Sequence, residues 1–516
     1  MEKFLQKYKD DVTGVLSGFD RLVFRGTLRA LAYAEGLKRY LNTQGVLLKE
    51  FDPYVTRMTA QLKRTSCAEA RRLGRPVYYL TSSKTDKGKL ADEIAKRDGI
   101  VEGLIGMVTC VEPCMSFEIE RNRQERRLEL VAKPRKCLFL YHYWNDPVFG
   151  FMNARIQTWF PFSIQICLNG REWLARQMDG AKIRYEKWDN CFPWIEDVPA
   201  AQRLMTGQLQ TRWAETLQAI ACRLNPIHEE MFAPVKINYY WSVFQDEWAT
   251  DILFRSSEAL AAIYPKLVRG SMTALGTEDV MRFFGKKPHP NFQGQVITSC
   301  CKRTEGVRVK HQLKNNSQKL YDKFGRILRP ENTMNDPGDF KVYRPKEGDP
   351  NGPLAWRPCR RGIADLHQRA EVQQAANERH IEALAALDTR RTVKEVIDPV
   401  TQPTRWKGWR VRALRPWSEP DQPLLQIVAR GEFLIHGFRN RDLVAHLYPD
   451  GLPADPPRPK VGARVTRLLR ILRAHRLIRK VAHTHRYMVT PKGRELITAI
   501  LQTYTVPVDQ LLERAA

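Results

Sequence analysis

Apolar and polar positions alternate with a period of two through residues 306–344, GVRVKHQLKNNSQKLYDKFGRILRPENTMNDPGDFKVYR. Val307, Val309 and His311 share a side, as do Lys319, Tyr321 and Lys323, then Ile327, Arg329 and Glu331. Asn315-Asn316-Ser317 and Phe324-Gly325 are turn sequences, so the pattern predicts three antiparallel strands. Upstream, short aromatic-rich runs separated by turns between residues 101 and 168 predict an antiparallel meander. Helical spacing governs 32–74, with a strand at 77–80 and a helix opening after Thr81-Ser82-Ser83-Lys84-Thr85-Asp86-Lys87-Gly88. That polar loop could contact a phosphate at the helix start, although it is not a nucleotide-hydrolysing loop. Residues 198–285 are expected to be mainly helical around a strand at 235–241.

Near the C-terminus the period changes. Val465, Leu468, Leu469 and Leu472 form one helical stripe, leaving Arg464, Arg467, Arg470 and Arg473 facing solvent. Alternation resumes at Arg479-Lys480-Val481, passes a polar tip at 482–485 that includes His485, and continues through Arg486-Tyr487-Met488-Val489. This predicts a two-stranded hairpin, followed by Lys492 and a last amphipathic helix. A shorter helix is expected at 441–447, capped by Asn440 with Phe438 as an apolar staple.

Charge turns this pattern into a statement about partners. The chain has 84 Lys and Arg against 57 Asp and Glu, a formal charge of +27. Within 458–494 there are twelve Lys or Arg residues and no Asp or Glu. A surplus of that size favours a polyanion, nucleic acid before membrane. No apolar run is long enough to span a bilayer and the first residues lack a signal-peptide core, so a cytoplasmic protein is expected, nucleoid-associated if it binds DNA. Ten cysteines without a pairing rhythm fit reduced thiols, and Cys110 and Cys114 lack a second ligand pair at zinc-finger spacing.

Acidic residues are scarce enough for their grouping to carry information. Asp20 is placed near the start of a strand at Leu22-Val23-Phe24, where a metal-dependent nuclease would put a ligand and where an ordinary turn cap would also stand. Glu247 and Asp251, read as a helix, share a face at i, i+4. With Glu331 they make candidate ligands for Mg2+ or Mn2+, and candidate catalytic residues together with Tyr321. On the 306–344 sheet, Lys310, Lys314, Lys319 and Lys323 are candidate phosphate contacts, as are Arg464, Arg467, Arg470, Arg473, Arg479, Lys480, His485, Arg486 and Lys492 in the C-terminal segment.

Two resemblances follow. "LLRxLRxxxLIxK…RYxxTxxG", within 425–503, resembles a winged helix-turn-helix domain, which implies duplex DNA as partner. Lys319-Leu320-Tyr321-Asp322-Lys323 with Leu328-Arg329-Pro330-Glu331 resembles, over about forty residues, the replication-initiator nucleases of plasmids and phages. That likeness implies a metal held by the Glu and a tyrosine attacking phosphate.

The expected fold is α+β and multidomain. A body of mixed or antiparallel sheet with helices spans 1–345, and a linker with a long helix from about 363 to 387 spans 346–424. A winged-helix domain spans 425–516. Within the linker, Trp406, Trp409 and Trp417 interleave with arginines, which suits nucleic acid or a tether lying on a neighbouring domain. The expected function is nucleic-acid binding, DNA favoured and RNA open, in a mobile-element setting and with a homodimer as one open assembly. The alternatives are a metal-dependent nuclease, transposase-like or replication-initiator enzyme, a transcription regulator, and an RNA-binding scaffold.

Overall fold

The computed structural model describes residues 1–233, 235, 237–287, 295–304, 306–349, 351–387, 393–448, 458–482 and 484–505. The architecture is mixed α and β, built on one eleven-stranded sheet. Its strands are β1 (Val12–Thr27), β2 (Val77–Leu80), β3 (Gly103–Asn122), β4 (Arg127–Asp146), β5 (Gly150–Gln157) and β6 (Ile164–Asn169). A separate hairpin, β7 (Tyr185–Trp188) and β8 (Cys191–Ile195), intervenes before β9 (Tyr240–Phe254), β10 (Val296–Arg303), β11 (Gly306–Leu313), β12 (Asn316–Lys323) and β13 (Ile327–Met334). The spatial order is β10-β11-β12-β13-β9-β1-β6-β5-β4-β3-β2. Every neighbouring pair is antiparallel except β2 with β3.

The alternation in 306–344 becomes β11, β12 and β13; the second turn falls at Phe324-Gly325 as expected, while the first is Lys314-Asn315, with Asn316 and Ser317 already paired in β12. The same rule accounts for the meander β3–β6. Two readings change. Residues 245–251 belong to the long strand β9, not to a helix. Their polar side chains alternate between two faces that both find distant partners: Asp246 meets Arg369 on one side, and Glu247 meets Lys319 on the other. Asp20 lies in the middle of a sixteen-residue strand rather than at the start of a short one.

One sheet face carries the main apolar core. Leu22, Phe24, Leu140, Ile156, Ile164 and Ile166 are buried in it, together with residues of helices Ala34–Thr43, Phe51–Arg72 and Trp213–Leu224. At the β9–β13 end, the helix Leu366–Leu387 crosses the same side. Expected as part of a linker, it is instead embedded in the body. Arg369, Gln373, Asn377, His380 and Ile381 are buried, and Asn377 Nδ2 donates to the Trp248 carbonyl at 3.0 Å. Its polar buried positions hid this role, because a helix that packs through Arg, Gln, Asn and His has no apolar stripe to read.

The segment from Val393 to Thr505 has its own core, which includes Val396, Val400, Val411, Leu425, Leu443, Leu468, Leu469, Leu472, Leu477 and Ile497. Its elements are the helices Asp421–Val428, Asn440–Leu447, Arg458–Ala474 and Pro491–Thr505, and a three-stranded sheet of Phe438–Arg439, Arg486–Val489 and Ile478–Lys480 in that spatial order. Asn440 does not cap its helix. Asp442 accepts from the Arg439 backbone N–H at 2.8 Å, while Asn440 Nδ2 ties two helices together through the Gly462 carbonyl and Thr466 Oγ1. His483, within the expected hairpin tip, and residues 449–457 and 506–516 of the expected C-terminal domain lie outside the described residues.

Candidate metal centre and basic faces

The carboxylates converge because three strands place them on one side of the sheet. In β1 a register shift between Phe19 and Arg21 leaves Asp20 as an extra residue, and Arg21 pairs with Glu247 of β9. A bulge of this kind re-aims a side chain. Glu247 stands opposite Thr333 of β13, and two residues along β13 Glu331 stands opposite Lys319 of β12. One oxygen from each of Asp20, Glu247 and Glu331 lies within 4.8 Å of the other two. Among the described residues this is the only such group of three or more potential metal ligands.

The cluster is embedded in cations. Lys319 Nζ donates to Glu331 Oε1 at 2.6 Å and to Glu247 Oε1 at 3.1 Å. Tyr321 Oη donates to the same Glu331 oxygen at 3.2 Å. Arg329, buried in β13, bonds Asp20 Oδ1 at 3.2 Å and grips Asp251 through two nitrogens. Arg171 adds two bonds to Asp251 Oδ2, at 3.1 and 2.9 Å. Its helix, Gly170–Gly180, starts hard against β1, where a Cβ at Gly170 would collide with the Phe19 carbonyl. The β7–β8 turn closes the site from above: Asn190 Nδ2 reaches both Asp20 oxygens, at 3.2 and 2.9 Å, and Lys323 bonds Asn190 and Asp189. Asp20, Glu247, Asp251 and Glu331 are therefore bonded by Arg171, Lys319 and Arg329, while Lys323 pairs with a fifth carboxylate, Asp189.

These surroundings set the protonation states. Burial raises the Asp20 carboxyl above its usual range, and Glu331 adds to the rise while Arg329 and Arg171 oppose it. For Asp251 burial acts in the same direction, but Arg329 and Arg171 outweigh it and hold the group low. Burial disfavours the Lys319 ammonium, yet the Glu331 and Glu247 carboxylates outweigh that and raise it. Tyr321 is raised by burial and then by Glu331, with Lys319 opposing. The phenol is thus a held proton donor. Flanking lysines do not make it a phenolate, because Lys323 faces Asn190 and Asp189 and Lys319 is committed to two carboxylates.

Of the four carboxylates expected as ligands, three converge. Asp251 spends both oxygens on Arg171 and Arg329 and serves the frame around the site. Lys319 and Lys323, expected as phosphate contacts, are buried inside the network. Lys314 is exposed but paired with Asp339 at 2.9 Å. Lys310 lies on the same side of β11 opposite Lys319, half-buried. Sequence reading missed Arg171, Asn190 and Arg329 as members of the site. Only the alternation around Glu331 pointed to Arg329, and nothing local marks the other two.

In the C-terminal unit Arg464, Arg467 and Arg470 are exposed along one helix, and Lys480, His485 and Lys492 are exposed beyond it. Arg473 is half-buried, its guanidinium 4.9 Å from the Trp406 ring and 6.0 Å from Tyr487. Trp406 thus packs within the C-terminal unit's own core, while Trp409 and Trp417 are exposed. Arg479 is turned toward the body, where it bonds both Glu278 oxygens at 2.6 Å. Arg486 sits half-buried on the strand partnering Arg439.

All ten cysteines are free thiols. No helix among the described residues is long and apolar enough to cross a membrane. Compared with known proteins, the chain matches no family model, no curated protein and no solved structure.

Proposed function

We propose that this is a nucleic-acid-processing protein: it binds DNA through a winged-helix-like C-terminal unit and acts on a phosphodiester at a divalent-metal site formed by Asp20, Glu247 and Glu331. The observation that carries the reading is the convergence of three carboxylates from three strands in a chain of charge +27. An all-oxygen donor set suits Mg2+ or Mn2+. A cation held there supplies Lewis acidity to a phosphoryl oxygen. Arg329 and Asn190 orient Asp20, Lys319 spans the two glutamates, and Tyr321 keeps its proton on the Glu331 side. The helix order, three-stranded sheet and exposed arginines of the C-terminal unit support the DNA-binding part.

A second reading rests on the charge balance. With each of the four carboxylates already bonded to Arg171, Lys319 or Arg329, the cluster is a structural ion-pair network and the protein a binder without chemistry. Calorimetric titration of purified protein with Mn2+, beside a nicking assay on labelled DNA, separates the two. The enzyme reading expects one bound Mn2+ and metal-dependent cleavage, both lost in Glu247→Gln and Glu331→Gln with DNA affinity retained. Absence of Mn2+ binding by folded wild-type protein would overturn it.

A further inference from the structure

The face that carries the triad continues across the sheet. Helices Gly170–Gly180 and Val198–Gly207 and the β7–β8 hairpin close its triad end, through Arg171 on Asp251, Met205 against Gly18, and Asn190 on Asp20, and the helix Lys87–Arg97 packs on its β3–β4 end through Ala91 and Ile94, with Arg21 exposed between them. Toward the other end the register lines up polar side chains in rows. Tyr141 of β4 pairs with Arg155 of β5, Arg155 with Gln165 of β6, Gln165 with Arg25 of β1, and Arg25 with Ser242 of β9. Along β1, Arg21 lies between this row and the triad as the partner of Glu247. Alternate residues on a strand are about 7 Å apart, so the rows lie side by side as steps of one surface. A cavity of about 410 Å³ opens here, lined by Arg21, Lys87, Tyr141, Tyr143, Asn153 and Arg155.

Cations outnumber carboxylates in this trough: Arg21, Lys87 and Arg155 line the cavity with one acid, Asp86, and Glu112 takes both Arg155 Nη1 at 2.7 Å and Lys87 Nζ at 3.1 Å. Arg25 is half-buried, and burial first, then repulsion from Arg155 and Arg361, lowers its affinity for a proton. Arg361 is brought beside β9 by the bond from the Val243 N–H to its carbonyl, with Asp336 3.6 Å from its guanidinium. Next to the row, Arg29 lies 3.3 Å above the Tyr240 ring. Guanidinium groups fixed on rigid strands and crowded by like charge are at their lowest energy with an anion between them.

We propose that this trough is the subsite for a single strand of nucleic acid, with one nucleotide in the cavity and its phosphates on Arg25, Arg155 and Arg21, leading toward the triad. The inference rests on the reading of the body as the processing unit and names its substrate class. A cavity of this size takes a nucleotide-sized ligand.

The test is fluorescence anisotropy of a 3′-labelled, 5′-phosphorylated hexathymidylate with the full chain in EDTA, read over a series of salt concentrations. Working without metal keeps the outcome independent of whether the triad binds Mn2+. Arg25→Gln is expected to weaken binding by about tenfold and to lower the log–log salt slope by about 0.7, the share of one phosphate on a single strand. Arg25→Lys should retain the slope, which guards against a folding artefact, and Arg464→Gln should leave hexamer binding unchanged. An unaltered affinity and slope in folded Arg25→Gln, or an equal loss in Arg464→Gln, would overturn the subsite even if Mn2+ binds the triad. Loss of Mn2+ binding in Glu331→Gln with hexamer binding intact would leave it standing.

Discussion

Lys319 Nζ bridges Glu331 at 2.6 Å and Glu247 at 3.1 Å, so a single ammonium occupies the electrostatic position that a metal ion would share. Removing it makes the triad's need for a cation measurable. Lys319→Met should cost about 3–5 kcal/mol, the usual loss when one member of a buried pair is deleted. Millimolar Mn2+ should then restore more thermal stability to the variant than it adds to wild type. Equal Mn2+ shifts in both proteins would mean that the carboxylates do not hold the ion.

Tyr321 is expected not to form a covalent link to DNA. Its proton is retained by burial and by Glu331, so it lacks the phenolate a nucleophile needs. Tyr321→Phe deletes one hydrogen bond to a buried carboxylate, about 2 kcal/mol of stability, and should leave any cleavage within the same order of magnitude. Labelled DNA that stays with the wild-type chain after denaturation, but not with Tyr321→Phe, would refute this.

A buried imidazole pair should make stability depend on pH. His311 and His380 lie with ring centroids 5.4 Å apart, and Phe283 packs on both rings. His311 Nδ1 is 2.9 Å from Thr298 Oγ1. Burial lowers His311 from 6.5 to about 4, and burial, with His311 opposing its charge, lowers His380 well below the usual imidazole range. Because the folded values are depressed, the unfolded chain binds protons first. Stability present above pH 6.5 is then lost as pH falls toward 4, by up to about 3 kcal/mol for His311. Urea unfolding of His311→Phe should show a flatter profile between pH 6.5 and 4, and an unchanged slope would rule the pair out as its cause.

In the C-terminal unit the arginines should separate into two classes. Arg464→Ala, Arg467→Ala and Arg470→Ala are each expected to weaken duplex binding and to reduce the log–log salt slope by about 0.9. Arg479→Ala should leave that slope unchanged, because its partner is Glu278, and should cost at most about 1 kcal/mol as an exposed ion pair. Filter binding at four salt concentrations measures both. A slope loss in Arg479→Ala equal to that in Arg467→Ala would contradict the docking seen here.

What the sequence determined by itself is local. Period-two alternation was enough to set β11, β12 and β13, and therefore to put Lys319, Tyr321 and Lys323 on one side. The stripe of Val465, Leu468, Leu469 and Leu472 likewise determined which arginines of that helix stay in water. Asp20, Glu247 and Glu331 could be singled out because carboxylates are scarce in a basic chain, but their meeting could not be read. It depends on β1, β9 and β13 being neighbours and on a one-residue bulge after Phe19. Only the tertiary structure decided the partners. Residues 245–251 form a strand because Asp246 finds Arg369 on one face while Glu247 and Asp251 find Lys319, Arg171 and Arg329 on the other. Charged side chains can be buried only when a distant residue of opposite sign is brought to them, and sequence spacing carries no record of that distance.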